Sequence, residues 1–196
     1  MNKTFEDIEL GNAGLFVPET AALLVVDVQQ KLWPFINGRQ EVLKRTLQAI
    51  DVAGNLKIPI IVTEQYVKGL GSTIDEVKIS LEKWDAYNPI EKNAFSCFGE
   101  QKFSDFMESS NIETLAVVGI EGHVCVMQTV IDGLARGYDM FYISEAVGSR
   151  NPRHKEEAVT RVRDLGAIVG SVEMFAFEAM RASTHPSFKA VQKVIV

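Results

Sequence analysis

The sequence predicts a three-layer α/β/α fold, with helices on both faces of a mostly parallel six-stranded sheet. Three observations predict it. Short runs rich in Val, Leu and Ile stay apolar at successive positions, as strands buried on both faces do. Longer segments with apolar residues at helical spacing separate those runs. No internal repeat and no linker rich in Pro, Gly or Ser interrupts the 196 residues, so residues 1–196 are expected to form one domain. Strands alternating with helices mean βαβ units, whose crossovers place helices against a parallel sheet.

The first strand is expected at "AALLVVDV" (21–28). In "EVLKRTLQAIDVAGNL" (41–56), Val42, Leu43, Leu47, Ile50 and Ala53 share one helical face. "IPIIVTE" (58–64) reads as a second buried strand. Residues 68–93 hold a short helix and a weak strand near "YNPIEK". "EQKFSDFMESS" spaces Phe103, Phe106 and Met107 as a helix does, and "TLAVVGI" (114–120) is a strand. "HVCVMQTVIDGLARG" is a helix stopped by Gly137, a good left-handed cap. "DMFYISEA" is a strand. The helix "NPRHKEEAVTRVRDLG" takes Asn151 as N-cap, Pro152 at its first position and Gly166 past its end. "AIVGS" is the last strand, followed by closing helices at "VEMFAFEAM" and "PSFKAVQKVI".

Composition narrows the function. A net charge of −6 argues against a nucleic-acid partner, and the densest basic cluster, "RNPRHK", reads as a solvated helix start. Glu6, Asp7 and Glu9 break the layout of a signal peptide, and no apolar run approaches the ~20 residues that span a bilayer. Cys97 and Cys125 are therefore expected as free thiols in a reducing cytoplasm. Two thiols and three histidines without ligand spacing make a structural zinc site unexpected. No Gly-x-Gly-x-x-Gly, P-loop or Gly-x-Ser-x-Gly motif supports nucleotide binding or serine chemistry.

In parallel sheets, ligands bind beyond the carboxyl ends of the strands, near the point where strand order reverses. Three polar residues fall at strand ends. Asp27 closes the first strand, where a carboxylate is costly without a role or partner; loop capping is the plain alternative. Cys125 lies in the first helical turn after "TLAVVGI", where the helix dipole is expected to lower its pKa below the ~8.5 of a free thiol. Packing as a small buried residue is its plain alternative. Lys92, after the weak third strand, is a solvated lysine unless it reaches the same crevice, where it would pair Asp27 and favour a thiolate. His123 is too near Cys125 along the helix to face it, so it is read as structural or pocket-lining; His154 or His185 could approach from elsewhere. Cys97 is read as packed or as a pocket wall. Gln29, Trp33, Phe35, Gln65, Tyr66, Phe95 and His123 lie near the strand ends as pocket candidates.

"LLVVDVQ", "EKNAFSCF" and "GIEGHVCV", in this order, resemble the isochorismatase-like cysteine hydrolases. "VTEQYVKGLGSTIDEV" and "HPSFKAVQKVI" resemble the branch called isochorismatase domain-containing proteins, and the match runs from about residue 15 to the end. The resemblance implies a Rossmann-like hydrolase fold and an Asp–Lys–Cys triad at Asp27, Lys92 and Cys125, cleaving a C–N (amide-type) bond of a small molecule through a thioester. It implies a non-proline cis peptide at Ile120–Glu121, aiming the N–H groups of Glu121 and Cys125 into an oxyanion hole. It also implies a homo-oligomer, a dimer or larger. Nicotinamidases carry metal-binding histidines after the second strand, whereas "VTEQYVKGLG" has none; no metal or other cofactor is therefore expected, nor nicotinamide as substrate. Isochorismatases proper lack the cysteine, so isochorismate is not expected either. A non-catalytic oligomer that retains the fold, and a redox-responsive thiol protein with Cys97 as resolving partner, are the alternatives.

Overall fold

The computed structural model describes residues 15–196. The acidic stretch at Glu6–Glu9, on which the expectation of no signal peptide rests, lies outside them. Among the described residues, six strands form one fully parallel sheet. They are β1 (Ala21–Val26), β2 (Ile60–Gln65), β3 (Ile90–Lys92), β4 (Thr114–Ile120), β5 (Asp139–Gly148) and β6 (Ile168–Gly170). Among the described residues, eight α-helices connect and flank them: α1 (Arg39–Leu56), α2 (Val67–Leu70), α3 (Asp75–Glu82), α4 (Gln101–Ser109), α5 (Met127–Ala135), α6 (Pro152–Asp164), α7 (Val172–Met180) and α8 (Phe188–Ile195).

The apolar runs become central strands because both of their faces are covered. Ala21, Leu23 and Val25 of β1 pack into one core with α1, α3, α7 and α8. Ala22, Leu24 and Val26 pack into a second core with α4, α5 and α6. Side chains alternate across a strand, so a run buried on both sides must be apolar at every position. Of the helical face expected on α1, Val42, Ile50 and Ala53 are buried, while Leu43 and Leu47 pack half-buried at the margin. Asn151 caps α6 by accepting the Arg153 N–H at 3.0 Å, with Pro152 following it. Gly137 and Gly166 take the positive φ that ends α5 and α6.

The sheet runs β3-β2-β1-β4-β5-β6, so strand order reverses between β1 and β4. Both strands release their chains at the carboxyl edge of that junction, where such sheets bind ligands. Val26 pairs with Gly119 there. A Cβ on Gly119, at φ +142°, would sit 2.2 Å from the Val26 carbonyl oxygen. Glycine is what lets the two strand ends approach this closely.

The turn into α5 differs from both expectations for it. Residues Gly122–Val126 form a single π-helical turn rather than the start of an α-helix. Peptide bonds among the described residues are trans, including Ile120–Glu121, where a cis bond was expected. Glu121 adopts a left-handed backbone instead, φ 55° and ψ 53°, and this reverses the chain. Such conformations, like π-turns, cluster at functional sites.

Candidate active site

Asp27 leaves β1 with φ 53°, a left-handed conformation that Asp tolerates better than most residues. Its backbone N–H donates to the Thr63 carbonyl at 3.2 Å, which ties it to the neighbouring strand. The carboxylate turns inward and is 1 % exposed. Lys92, the last residue of β3, is fully buried and places Nζ 2.7 Å from Asp27 Oδ2. The same ammonium donates to Gln65 Oε1 (2.7 Å), Phe95 O (2.9 Å) and Ala94 O (3.2 Å). Asp27 and three neutral acceptors thus share the hydrogens of one ammonium. Burial pushes the Lys92 pKa down, but Asp27 and the two nearby cysteines outweigh it, and the net shift is upward.

Cys125 sits in the π-turn, 5 % exposed, with its sulfur toward Asp27. Burial pushes its pKa far above the ordinary thiol range; the charge of Asp27 and hydrogen bonding to it add to the rise, and Lys92 opposes it. The expectation of a thiol lowered by a helix dipole is corrected here. Desolvation and an adjacent carboxylate outweigh the partial charge of a short π-turn. The resting group is a thiol beside a carboxylate. Cys97, fully buried, is likewise raised, to about 11, mainly by burial.

The remaining candidates separate into groups. Gln29 does not line a pocket. It is fully buried and clamps the backbone, donating from Nε2 to Gln65 O (2.9 Å) and Gly71 O (2.6 Å) and accepting the Gln65 N–H at Oε1 (2.7 Å). Gln65 orients Lys92 through Oε1 and ties Nε2 to Asn93 O at 2.7 Å. Trp33 packs half-buried against the core on the α1 side. Phe35, Tyr66 and Phe95 are exposed. His123 holds Nδ1 3.1 Å from Ser149 Oγ, stacks 4.7 Å from the His154 ring, and lines a groove of ≈ 260 Å³ with Met127 and His154. His185 instead accepts the Ser187 N–H.

Several supporting residues carried no recognised signal. Thr63 Oγ1 donates to Asp27 Oδ1 at 2.8 Å. Thr129, one turn beyond Cys125, donates to Cys125 O (2.7 Å) and accepts the Cys97 N–H (3.0 Å). Its i+4 spacing from the cysteine was the one available clue. Arg150, expected as a solvated charge, reaches Glu121 with Nη2–Oε2 at 3.1 Å and braces the turn before Cys125.

An Isochorismatase domain model matches residues 21–174. The chain belongs to the isochorismatase family. Mouse isochorismatase domain-containing protein 2A is 31 % identical over 93 % of this chain and 85 % of its own length, so this branch of the family is where the chain falls. A Caenorhabditis elegans structure described as MAR1 ribonuclease is 37 % identical, with a TM-score of 0.84 and 92 % of each chain covered. An Escherichia coli structure, the ycaC gene product, described as an octameric hydrolase of unknown specificity, shares the fold at 21 % identity: TM-score 0.85, covering 93 % of this chain and 91 % of that one. This isochorismatase-family chain thus has a hydrolase fold. No described helix is long and apolar enough to cross a membrane.

Proposed function

We propose that this protein is a metal-independent cysteine amidohydrolase acting on a C–N bond of a small molecule. The observation that carries the reading is the convergence of Asp27, Lys92 and Cys125, from three separate strand ends, in a buried crevice where charged groups are costly. Asp27 takes the Cys125 proton as the sulfur attacks the amide carbon. The resulting oxyanion is met by the backbone N–H of Cys125 in the π-turn. Asp27 returns the proton to the departing amine, leaving a thioester. Water, deprotonated by Asp27, then attacks that thioester, and the released thiol recovers its proton. Lys92 stays charged throughout and keeps Asp27 from holding the proton too tightly. A resting thiol is oxidised more slowly than a thiolate, which disfavours the redox-responsive reading. The protein acts as a single domain in a homo-oligomer, and the exposed Leu15, Met174 and Phe177 offer apolar surface for assembly.

A screen of small amides for amine or ammonia release tests this reading, with intact-mass detection of an acyl adduct on Cys125. Turnover lost by at least 10³-fold in Cys125→Ala and Asp27→Asn is expected. Turnover unaffected by Cys125→Ala would refute the mechanism. The C. elegans relative raises RNA as the rival substrate. The net charge of −6 speaks against an RNA surface, and Cys125-dependent cleavage of a fluorogenic RNA would overturn the small-molecule reading.

A further inference from the structure

The two oxygens of Asp27 have different surroundings. Oδ1 accepts the Thr63 hydroxyl hydrogen at 2.8 Å. Oδ2 lies 2.7 Å from Lys92 Nζ in the buried ion pair.

The Thr63 hydroxyl has a fixed direction. A carboxylate only accepts, so Thr63 must donate to it and accept on its other side. There the Cys97 S–H donates to Thr63 Oγ1 at 3.8 Å. The thiol of Cys97, raised to about 11 by burial, keeps that hydrogen at neutral pH. The chain therefore runs one way, from Cys97 S–H to Thr63 O–H to Asp27 Oδ1, through three residues at most 1 % exposed.

We propose that Thr63, with Cys97 behind it, is a positioning residue for Asp27: its hydroxyl holds Oδ1 while Lys92 holds Oδ2, which fixes the plane of the carboxylate that takes the Cys125 proton. The inference rests on the base role proposed for Asp27. It gives Cys97 a place as a hydrogen-bond donor rather than a second nucleophile. A hydrogen bond to the ionised form of a carboxylate favours that form over the protonated one, and that preference is what loss of the Thr63 hydroxyl removes.

The test is the rate of iodoacetamide labelling at Cys125 against pH, read by peptide mass spectrometry, in the wild type, Thr63→Val, Thr63→Ser and Asp27→Asn. The wild type is expected to lose labelling on the acid side as Asp27 gains a proton, and Asp27→Asn to lose that limb altogether. Thr63→Val should move the limb up by about one pH unit, while Thr63→Ser leaves it in place. If Thr63→Val does not fold, Cys97→Ala removes the donor behind Thr63 and should move the limb the same way by less. A limb unmoved in Thr63→Val, or unmoved in Cys97→Ala where that variant stands in, overturns this inference alone. So does a limb moved equally by Val and Ser. A wild-type profile identical to that of Asp27→Asn overturns the base role of Asp27, and the present inference with it.

Discussion

Two ion pairs hold the carboxyl edge of the sheet, and their contact distances are alike. Asp27 and Lys92 approach to 2.7 Å, Glu121 and Arg150 to 3.1 Å. Their surroundings are not alike. The side chains of the first pair are 1 % and 0 % exposed; in the second Glu121 is 7 % exposed, but Arg150 is 59 % exposed and carries the contact out to water. Water screens the second pair and leaves it worth about 1 kcal/mol or less. The first pair has lost its hydration, and each charge depends on the other and on the hydrogen bonds around it. Distance is therefore a poor guide to energy here, and burial decides which pair governs the site. The buried pair shapes proton transfer, and the exposed pair steadies the turn before Cys125.

The hardest test of that contrast removes one buried charge. Lys92→Met should cost about 3–5 kcal/mol in a urea melt, because it strands Asp27 and three acceptors. Adding Asp27→Asn should restore more than half of that loss. A Lys92→Met protein as stable as the wild type would show that the buried pair is no stronger than a surface one. Gly119→Ala probes the geometry that brings the strand ends together. A clash with the Val26 carbonyl at positive φ should cost on the order of 2–4 kcal/mol, and Cys125 labelling should change with it. A neutral result there would mean that the β1–β4 junction yields easily.

Arg150→Ala should change stability by less than about 1 kcal/mol, with most of the difference vanishing in 1 M salt. A larger loss that persists at high salt would place the two pairs in the same class. The smallest effect concerns His123. Burial lowers its pKa, with His154 and Arg150 adding to the shift and Glu121 opposing it. The unfolded chain then binds more protons than the folded one just below pH ~6.5, so stability falls as pH drops through that value. The slope of Tm between pH 7.5 and 5.5 should flatten in His123→Gln. An unchanged slope would move the effect to another group.

Most elements were legible because their signals are local. Strand β4 and helix α7 fall at the residues that apolar patterning picks out, and α6 starts where Asn151 and Pro152 say it should. Asp27, Lys92 and Cys125 stood out as polar residues at strand ends, and family resemblance supplied the same three. The misreadings came from surroundings rather than from residue identity. Gln29 looked like a pocket residue because it follows Asp27 closely, but the β1–β2 pairing commits its amide to the Gln65 backbone. Cys125 looked like a lowered thiol because a helix start was visible, while its burial and the carboxylate beside it were not. Thr63 gave no warning, since its link to Asp27 exists only once β1 and β2 are in register.

By itself the sequence determined the order of strands and helices, the glycines at the sharp turns and the residues that end the strands at the candidate site. Each depends on spacing along the chain or on the conformational range of a single residue. Only the tertiary structure decided which oxygen of Asp27 faces Thr63, how Lys92 distributes its hydrogens, and why Cys125 rests as a thiol. Those outcomes depend on solvent exclusion and on distances between residues far apart in the chain, which exist only after the sheet has closed.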